Sequence, residues 1–98
     1  MSTPVILRPE AESDVEETYA ELEVLQAGLG DRFSAQLREL LDRVEDMPKM
    51  YGILKRNVRA ARTRKFRYVV FYVVHTDRVE VLAVLHGSRD PAVWQSRI

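Results

Sequence analysis

The sequence predicts an α+β fold in which an antiparallel helical hairpin packs on a twisted, mainly antiparallel sheet of about four strands. Apolar residues recur at steps of three and four through most of residues 9–46, which is the period of one helical face. Aromatic and β-branched residues are concentrated in residues 66–86, where they favour strands. The chain has 98 residues, of which 46% are hydrophobic and 31% charged, and we expect one globular domain over residues 1–98.

The first half of the chain predicts a strand and two helices. Residues 3–8 form an apolar run that ends at Pro9, a residue that favours the first turn of a helix. Helix 1 is predicted over 9–26, and helix 2 over 30–46, before Pro48. The buried face of helix 1 is predicted to carry Ala11, Val15, Tyr19, Leu22 and either Leu25 or Gln26.

The second half predicts three strands, at residues 53–61, 66–75 and 79–86. The last two are joined by a turn at Thr76 and Asp77. The middle strand is apolar on both faces, which favours a central position in the sheet. Asp90 precedes Pro91 as a helix cap would, so a short helix is predicted over 92–97 and the element order is β-α-α-β-β-β-α.

Several chemistries are excluded or poorly supported. The chain has no cysteine, so it has neither disulfides nor a thiol-based site. Its two histidines are eleven residues apart without a clear carboxylate partner in the second half, and we expect neither a metal nor a cofactor. The sequence around Ser88 is no nucleophile elbow, and no glycine-rich phosphate loop is present. No apolar stretch is long enough to cross a membrane, and we expect a soluble, cytoplasmic protein.

The charges are strongly segregated although they sum to zero. Residues 1–48 hold 12 acidic and 4 basic residues, whereas residues 49–98 hold 3 acidic and 11 basic residues. The acidic residues of helix 1 are interpreted as a solvated outer face. The basic half is predicted to be the binding half.

Eight basic residues and no acidic residue lie between Lys49 and Thr76. If 53–61 is one strand, Lys55 and Arg59 project from the same face. Such a surface could bind the phosphates of a nucleic acid or the carboxylates of an acidic polypeptide. The alternative is a charged strand edge that prevents aggregation. The binding residues predicted in this run are Lys55, Arg56, Arg59, Arg64 and Arg67.

A second candidate site follows the last strand. His86 and Arg89 could converge, with His86 as an acid or base and Arg89 as an anion clamp. A strand-end histidine is more often structural, however, and Trp94 is interpreted as an apolar anchor. Arg97 is included in the site, Asp90 is a cap, and His75, beside the hairpin turn, is expected to be solvated.

A set of residues spread along the chain carries a family resemblance. These residues are Leu7, Pro9, Ala11, Asp14, Pro48, Gly52, Val58, Arg59, Phe66, Tyr68, Tyr72, His86, Arg89, Asp90, Pro91, Trp94 and Arg97. In this order and in a chain of this length they resemble the ParE/RelE superfamily of toxins from bacterial type II toxin-antitoxin modules. The resemblance implies the fold predicted above and a small antitoxin as partner, in a hetero-oligomer. An acidic antitoxin tail would lie on the surface from Lys55 to Arg67.

The superfamily has two kinds of target. RelE-like members are ribosome-dependent endoribonucleases, and ParE-like members inhibit DNA gyrase. The nuclease pattern has an arginine where this chain has Val69 and a tyrosine where it has Trp94, which favours the ParE-like, non-enzymatic function. The alternatives are a nuclease of ribosome-bound mRNA that uses Lys55, Arg59, His86 and Arg89, a non-toxic antitoxin-binding domain of the same fold, and a nucleic-acid-binding module.

Overall fold

The computed structural model describes residues 3–98, which contain three helices and five strands. In chain order these are β1 (Val5–Leu7), α1 (Pro9–Leu25), α2 (Leu29–Asp46), β2 (Ile53–Lys55), β3 (Val58–Arg62), β4 (Tyr68–Val74), β5 (Val79–His86) and α3 (Ala92–Gln95). The strands form one sheet in the order β1-β5-β4-β3-β2. β1 runs parallel to β5, and the other neighbours are antiparallel. The predicted fold class is confirmed, with five strands instead of about four.

The sheet is covered on both faces, and β4 is its central strand. Val70 and Tyr72 point into a core shared with α1 and α2, whereas Phe71 and Val73 point into a second core that includes Trp94 of α3. This arrangement explains why β4 is apolar on both faces, as the sequence indicated. The hairpin of α1 and α2 therefore covers one face, and the C-terminal segment covers the other. No helix in residues 3–98 is both long enough and apolar enough to span a membrane.

Two glycines shape the turn between α1 and α2. Gly28 has a φ of 92°, a conformation that side-chain-bearing residues rarely adopt. A Cβ atom at Gly30 would lie 2.8 Å from the ring of Tyr19. The absence of a side chain at these positions lets the two helices turn sharply and pack closely.

The prediction of a single strand over residues 53–61 is wrong. Arg56 adopts φ 54° and forms a two-residue turn with Asn57, so the segment folds into a hairpin of β2 and β3. The register also shifts between Ile53 and Lys55. Strict alternation of side chains therefore fails, and Lys55 lies opposite Val58 and not on one face with Arg59.

The buried face of α1 also differs from the prediction. Tyr19 and Leu25 are 37% and 75% exposed, whereas the polar residues Asp14 and Thr18 are buried. The spacing of apolar residues does not predict this buried face, because part of it is polar. Asp14 is buried because it forms hydrogen bonds with Val84 and Arg97.

Asp14 and Arg97 form an ion pair that completes the edge of β5. β1 pairs with residues 79–81 of β5, and within residues 3–98 the next part of β5 has no neighbouring strand on that side. The carboxylate of Asp14 accepts the backbone N–H of Val84 at 3.0 Å, and Arg97 donates to the carbonyl of Leu82 at 3.1 Å. Two further bonds of 2.6 and 3.2 Å join Arg97 to Asp14. The hydrogen bond to Asp14 raises the pKa of Arg97.

We predict that Asp14→Ala lowers the free energy of unfolding by about 3–5 kcal/mol, because it leaves Arg97 and the N–H of Val84 without their acceptor. Denaturant unfolding measures the loss. Asp42→Ala removes an exposed carboxylate of α2 and should change the value by less than about 0.5 kcal/mol. Equal effects of the two substitutions would contradict a structural role for the pair.

Candidate basic binding groove

A cavity of about 370 Å³ lies on the α3 face of the sheet. Its floor is apolar and comes from β4, β5 and α3, through Val69, Phe71, Leu85 and Trp94. Its rim is cationic and polar. The rim residues are Lys55, Arg62, His86, Arg89 and Gln95.

A second cavity, of about 390 Å³, adjoins the first. The two share Arg62, His86 and Gly87, and the second adds Thr63, Arg67 and Ser88. We call the two cavities together the basic groove. Among the described residues that line it, none is an aspartate or a glutamate.

The cations of the groove have no anionic partner within residues 3–98. Lys55, Arg62, Arg67 and Arg89 form none of the ion pairs of this part of the chain. Lys55 only approaches the side-chain oxygen of Gln95, at 3.5 Å. Like charges held together in a concave surface attract an anionic ligand, because its binding relieves their mutual repulsion.

His86 lies where the two cavities meet. Its Nδ1 accepts the backbone N–H of Ser88 at 3.1 Å, and the Ser88 hydroxyl lies 2.7 Å from the same nitrogen. Because Nδ1 is an acceptor, the neutral ring carries its proton on Nε2. His86 therefore offers a hydrogen-bond donor, which adds to the capacity of the groove for anions. This engagement with Ser88 also agrees with a structural part for a strand-end histidine.

Arg89 and Asp90 belong to the turn that follows β5. The backbone N–H of Arg89 donates to the carbonyl of His86 at 2.9 Å, which brings Arg89 to the rim of the cavity. Asp90 Oδ1 accepts the backbone N–H of Ala92 at 2.9 Å. This hydrogen bond is of the kind predicted for a cap, but the N-cap position of α3 is Pro91, one residue later than the prediction placed it.

Arg59 does not line the groove. It donates to the carbonyls of Tyr51 and Lys49 at 2.7 and 3.3 Å. Tyr72, its neighbour across the sheet, donates to the carbonyl of Pro48 at 2.6 Å, and burial raises the pKa of Tyr72 to about 12. Arg59 and Tyr72 thus hold the loop between α2 and β2.

Trp94 is a structural anchor. Its ring is 6% exposed and stacks on Phe71 with centroids 4.8 Å apart and planes at 12°. The interpretation of Trp94 as an apolar anchor is confirmed. Because Phe71 covers one face of the indole and the residue is buried, Trp94 offers no free ring face to a ligand. Arg97 is engaged by Asp14 and also lies apart from the groove.

The remaining predicted residues are dispersed. Arg67 lines the groove, but Arg56 lies in the β2–β3 turn and Arg64 beside α2, next to Glu39 and Arg43. The expectation that His75 is solvated is wrong, because it is half-buried and lies 2.8 Å from a carboxylate oxygen of Glu80.

Arg62 was not among the site residues predicted from the sequence. The strand predicted over residues 53–61 ended one position before Arg62, whereas β3 includes it. Once β3 begins at Val58, alternation places Val58, Ala60 and Arg62 on the α3 face. The turn-forming residue Asn57 was the signal for this start.

Among solved structures, the chain is similar to one described as the chromosomal ParDE toxin-antitoxin system from P. aeruginosa, with a TM-score of 0.77 and 11% sequence identity. The match covers 87% of this chain and 96% of that chain, and it shows the shared fold. The family model for the ParE toxin of the type II toxin-antitoxin system parDE matches residues 5–91. The chain therefore belongs to the ParE toxin family. A comparison with curated proteins found no match.

We predict that Arg62→Gln weakens retention on a heparin column more than Arg59→Gln does, although each removes one positive charge. Arg62 faces the groove, whereas Arg59 is engaged by loop carbonyls. The salt concentration at elution measures the difference. Identical elution of the two variants would show that the groove does not concentrate positive potential.

Proposed function

We propose that the chain is a toxin held inactive by a cognate antitoxin, and that the free toxin inhibits DNA gyrase without catalysing a reaction. The observation that carries the gyrase proposal is the apolar floor of the groove. Val69 and Trp94, at the positions where the nuclease relatives have arginine and tyrosine, belong to the buried core under the cavity.

Cleavage of RNA needs an acceptor for the proton of the 2′-hydroxyl and donors that stabilise the charged phosphorane. A valine supplies neither. A buried, stacked indole has no acid or base function near neutral pH. A surface with cations on its rim and an apolar floor is suited to binding a macromolecule, which is what an inhibitor requires.

The antitoxin part of the proposal is supported by the groove's charge. An acidic antitoxin segment would pair with Lys55, Arg62, Arg67 and Arg89, none of which has an ion-pair partner within residues 3–98. Loss of the antitoxin would then free the same surface for the cellular target. The proposal includes a cytoplasmic location, where gyrase acts, and a hetero-oligomer with the antitoxin while the antitoxin is present.

We predict that the purified chain blocks supercoiling by DNA gyrase, and that Arg62→Glu combined with Arg89→Glu reduces this inhibition at least tenfold. Reversal of two charges on the groove rim would repel an acidic surface of the enzyme. Arg78→Glu, in the turn between β4 and β5, reverses a charge away from the groove and should leave inhibition unchanged. A wild-type chain that leaves both supercoiling and DNA cleavage by gyrase unaffected would refute the gyrase proposal. Harmless expression together with tight antitoxin binding would favour a non-toxic binding domain.

One observation favours the nuclease alternative. His86 lies between the two cavities, and Arg62 and Arg89 line the same space. Catalysis by His86 as a base would require the unprotonated nitrogen to face the substrate, whereas Nδ1 is occupied by Ser88.

We therefore expect no cleavage when ribosome-bound mRNA is incubated with the chain and analysed by primer extension. The alternative makes the opposite prediction, cleavage at set codon positions that falls by a factor of about 100 or more in His86→Ala. Observation of that pattern would replace the gyrase proposal with the nuclease.

A further inference from the structure

The outer edge of β2 is open. β2 is the last strand of the sheet, so no strand within residues 3–98 pairs with its other side. Two of its three residues are apolar and exposed, Ile53 at 55% and Leu54 at 54%. Met47 and Met50, in the loop before the strand, are 57% and 54% exposed. Proteins usually protect such an edge with charge or cover it, because its free N–H and C=O groups accept a further strand.

The open edge adjoins the basic groove. Leu54 and Lys55 belong to β2 and also line the 370 Å³ cavity, which the register shift in β2 permits. A segment that paired with β2 would direct every second side chain toward the α3 face. Side chains of this segment would therefore reach the cavity, while its backbone formed hydrogen bonds with β2.

The lining of the cavity defines the chemistry of the segment. The apolar floor of Val69, Phe71 and Leu85 favours an apolar side chain, and the cationic rim favours carboxylates on either side of it. The partner segment should be acidic, because residues 49–76 of the chain contain eight basic residues and no acidic one.

A single-stranded nucleic acid is a poorer fit to the same surface. Bases bind such grooves by stacking on exposed aromatic rings. The two large aromatic residues of this cavity, Phe71 and Trp94, are 7% and 6% exposed and stack on each other. The phosphates would contact the cationic rim, but among the rings that line the cavity only the imidazole of His86 is exposed, so successive bases would not find a row of rings to stack on.

We infer that β2 and the adjoining cavity form a docking site for an extended acidic segment of a partner protein, which adds to the sheet as a sixth strand and places one apolar side chain in the cavity. The inference rests on the proposed function in one respect, that the antitoxin is the natural source of the segment. It does not depend on gyrase as the target.

The probe is a fluorescent nine-residue peptide with leucine at its centre, glutamate at the other odd positions and threonine at the even positions. Fluorescence anisotropy measures its affinity for the full chain. Replacing the central leucine by serine should weaken binding at least about tenfold, which corresponds to loss of a buried leucine side chain. An eight-nucleotide thymidine strand should bind more weakly than the peptide.

Backbone methylation tests the added strand directly. Two versions of the peptide carry N-methyl groups on either all odd or all even residues. Only one set of N–H groups can face β2, so one version should lose at least tenfold in affinity and the other should bind nearly as well as the parent. Equal losses would overturn the strand pairing.

Two substitutions in the chain locate the site. Leu54→Glu should weaken binding of the parent peptide at least tenfold, because it places a negative charge at the edge of the cavity. Leu25→Glu, at an apolar residue of α1 that is 75% exposed, should have no effect. The inference is overturned if the peptide does not bind, if the serine peptide or the oligonucleotide binds as tightly, or if the two substitutions act alike. If the chain binds the peptide but does not inhibit gyrase, the docking site stands and only the proposal that gyrase is the target is refuted.

Discussion

The ion pair between Asp14 and Arg97 is the interaction on which the rest of the structure depends. It joins α1 to the residues that follow α3, and it satisfies backbone groups of β5 that no other strand of the described part of the chain reaches. Arg8 adds a hydrogen bond of 2.6 Å to the carbonyl of Arg97. These bonds hold the end of the C-terminal segment. That segment in turn places Trp94 on Phe71, so the floor of the groove depends on the contact between Asp14 and Arg97 at the outer edge of β5.

The sheet separates the two charged halves of the chain. The acidic helices α1 and α2 lie on one face, and most of the basic groove lies on the other, although His86 and Arg89 also line a small cavity together with Glu17 and Glu21 of α1. Two ion pairs within residues 3–98 connect the halves, Asp14 with Arg97 and Arg8 with Glu80. The groove cations take part in neither. Their charge is therefore not used to stabilise the fold, and this is why it is available for an acidic partner.

Hydrophobic periodicity predicted the helices, the central strand and the fold class, since these features depend on which residues are buried. It was less successful where backbone geometry or polar contacts decide the outcome. The turn at Arg56 and Asn57 interrupts a stretch whose composition is typical of a continuous strand, and this error hid Arg62. Asp14 is buried although it is charged, because its partner is 83 residues away in the chain.

Only some of the groove residues were predicted from the sequence, because tertiary contacts decide which basic residues line the groove. Lys55, Arg67, His86 and Arg89 line the groove, whereas Arg59 and Arg97 are engaged by carbonyls and by Asp14. A run of basic residues indicates that one surface is cationic. It does not distinguish the cations that bind a ligand from those that hold a loop or a helix, because that difference arises from tertiary contacts.

The central claim is that binding occurs through the basic groove and the β2 edge. Backbone amide shifts in a ¹H–¹⁵N NMR spectrum, recorded while a cognate antitoxin is added to the chain, test it most directly. The account predicts the largest changes at residues 53–55, 62, 67 and 86–95, with small changes in the turn between α1 and α2. Changes concentrated in α1, α2 and their turn, with the groove residues unaffected, would contradict it.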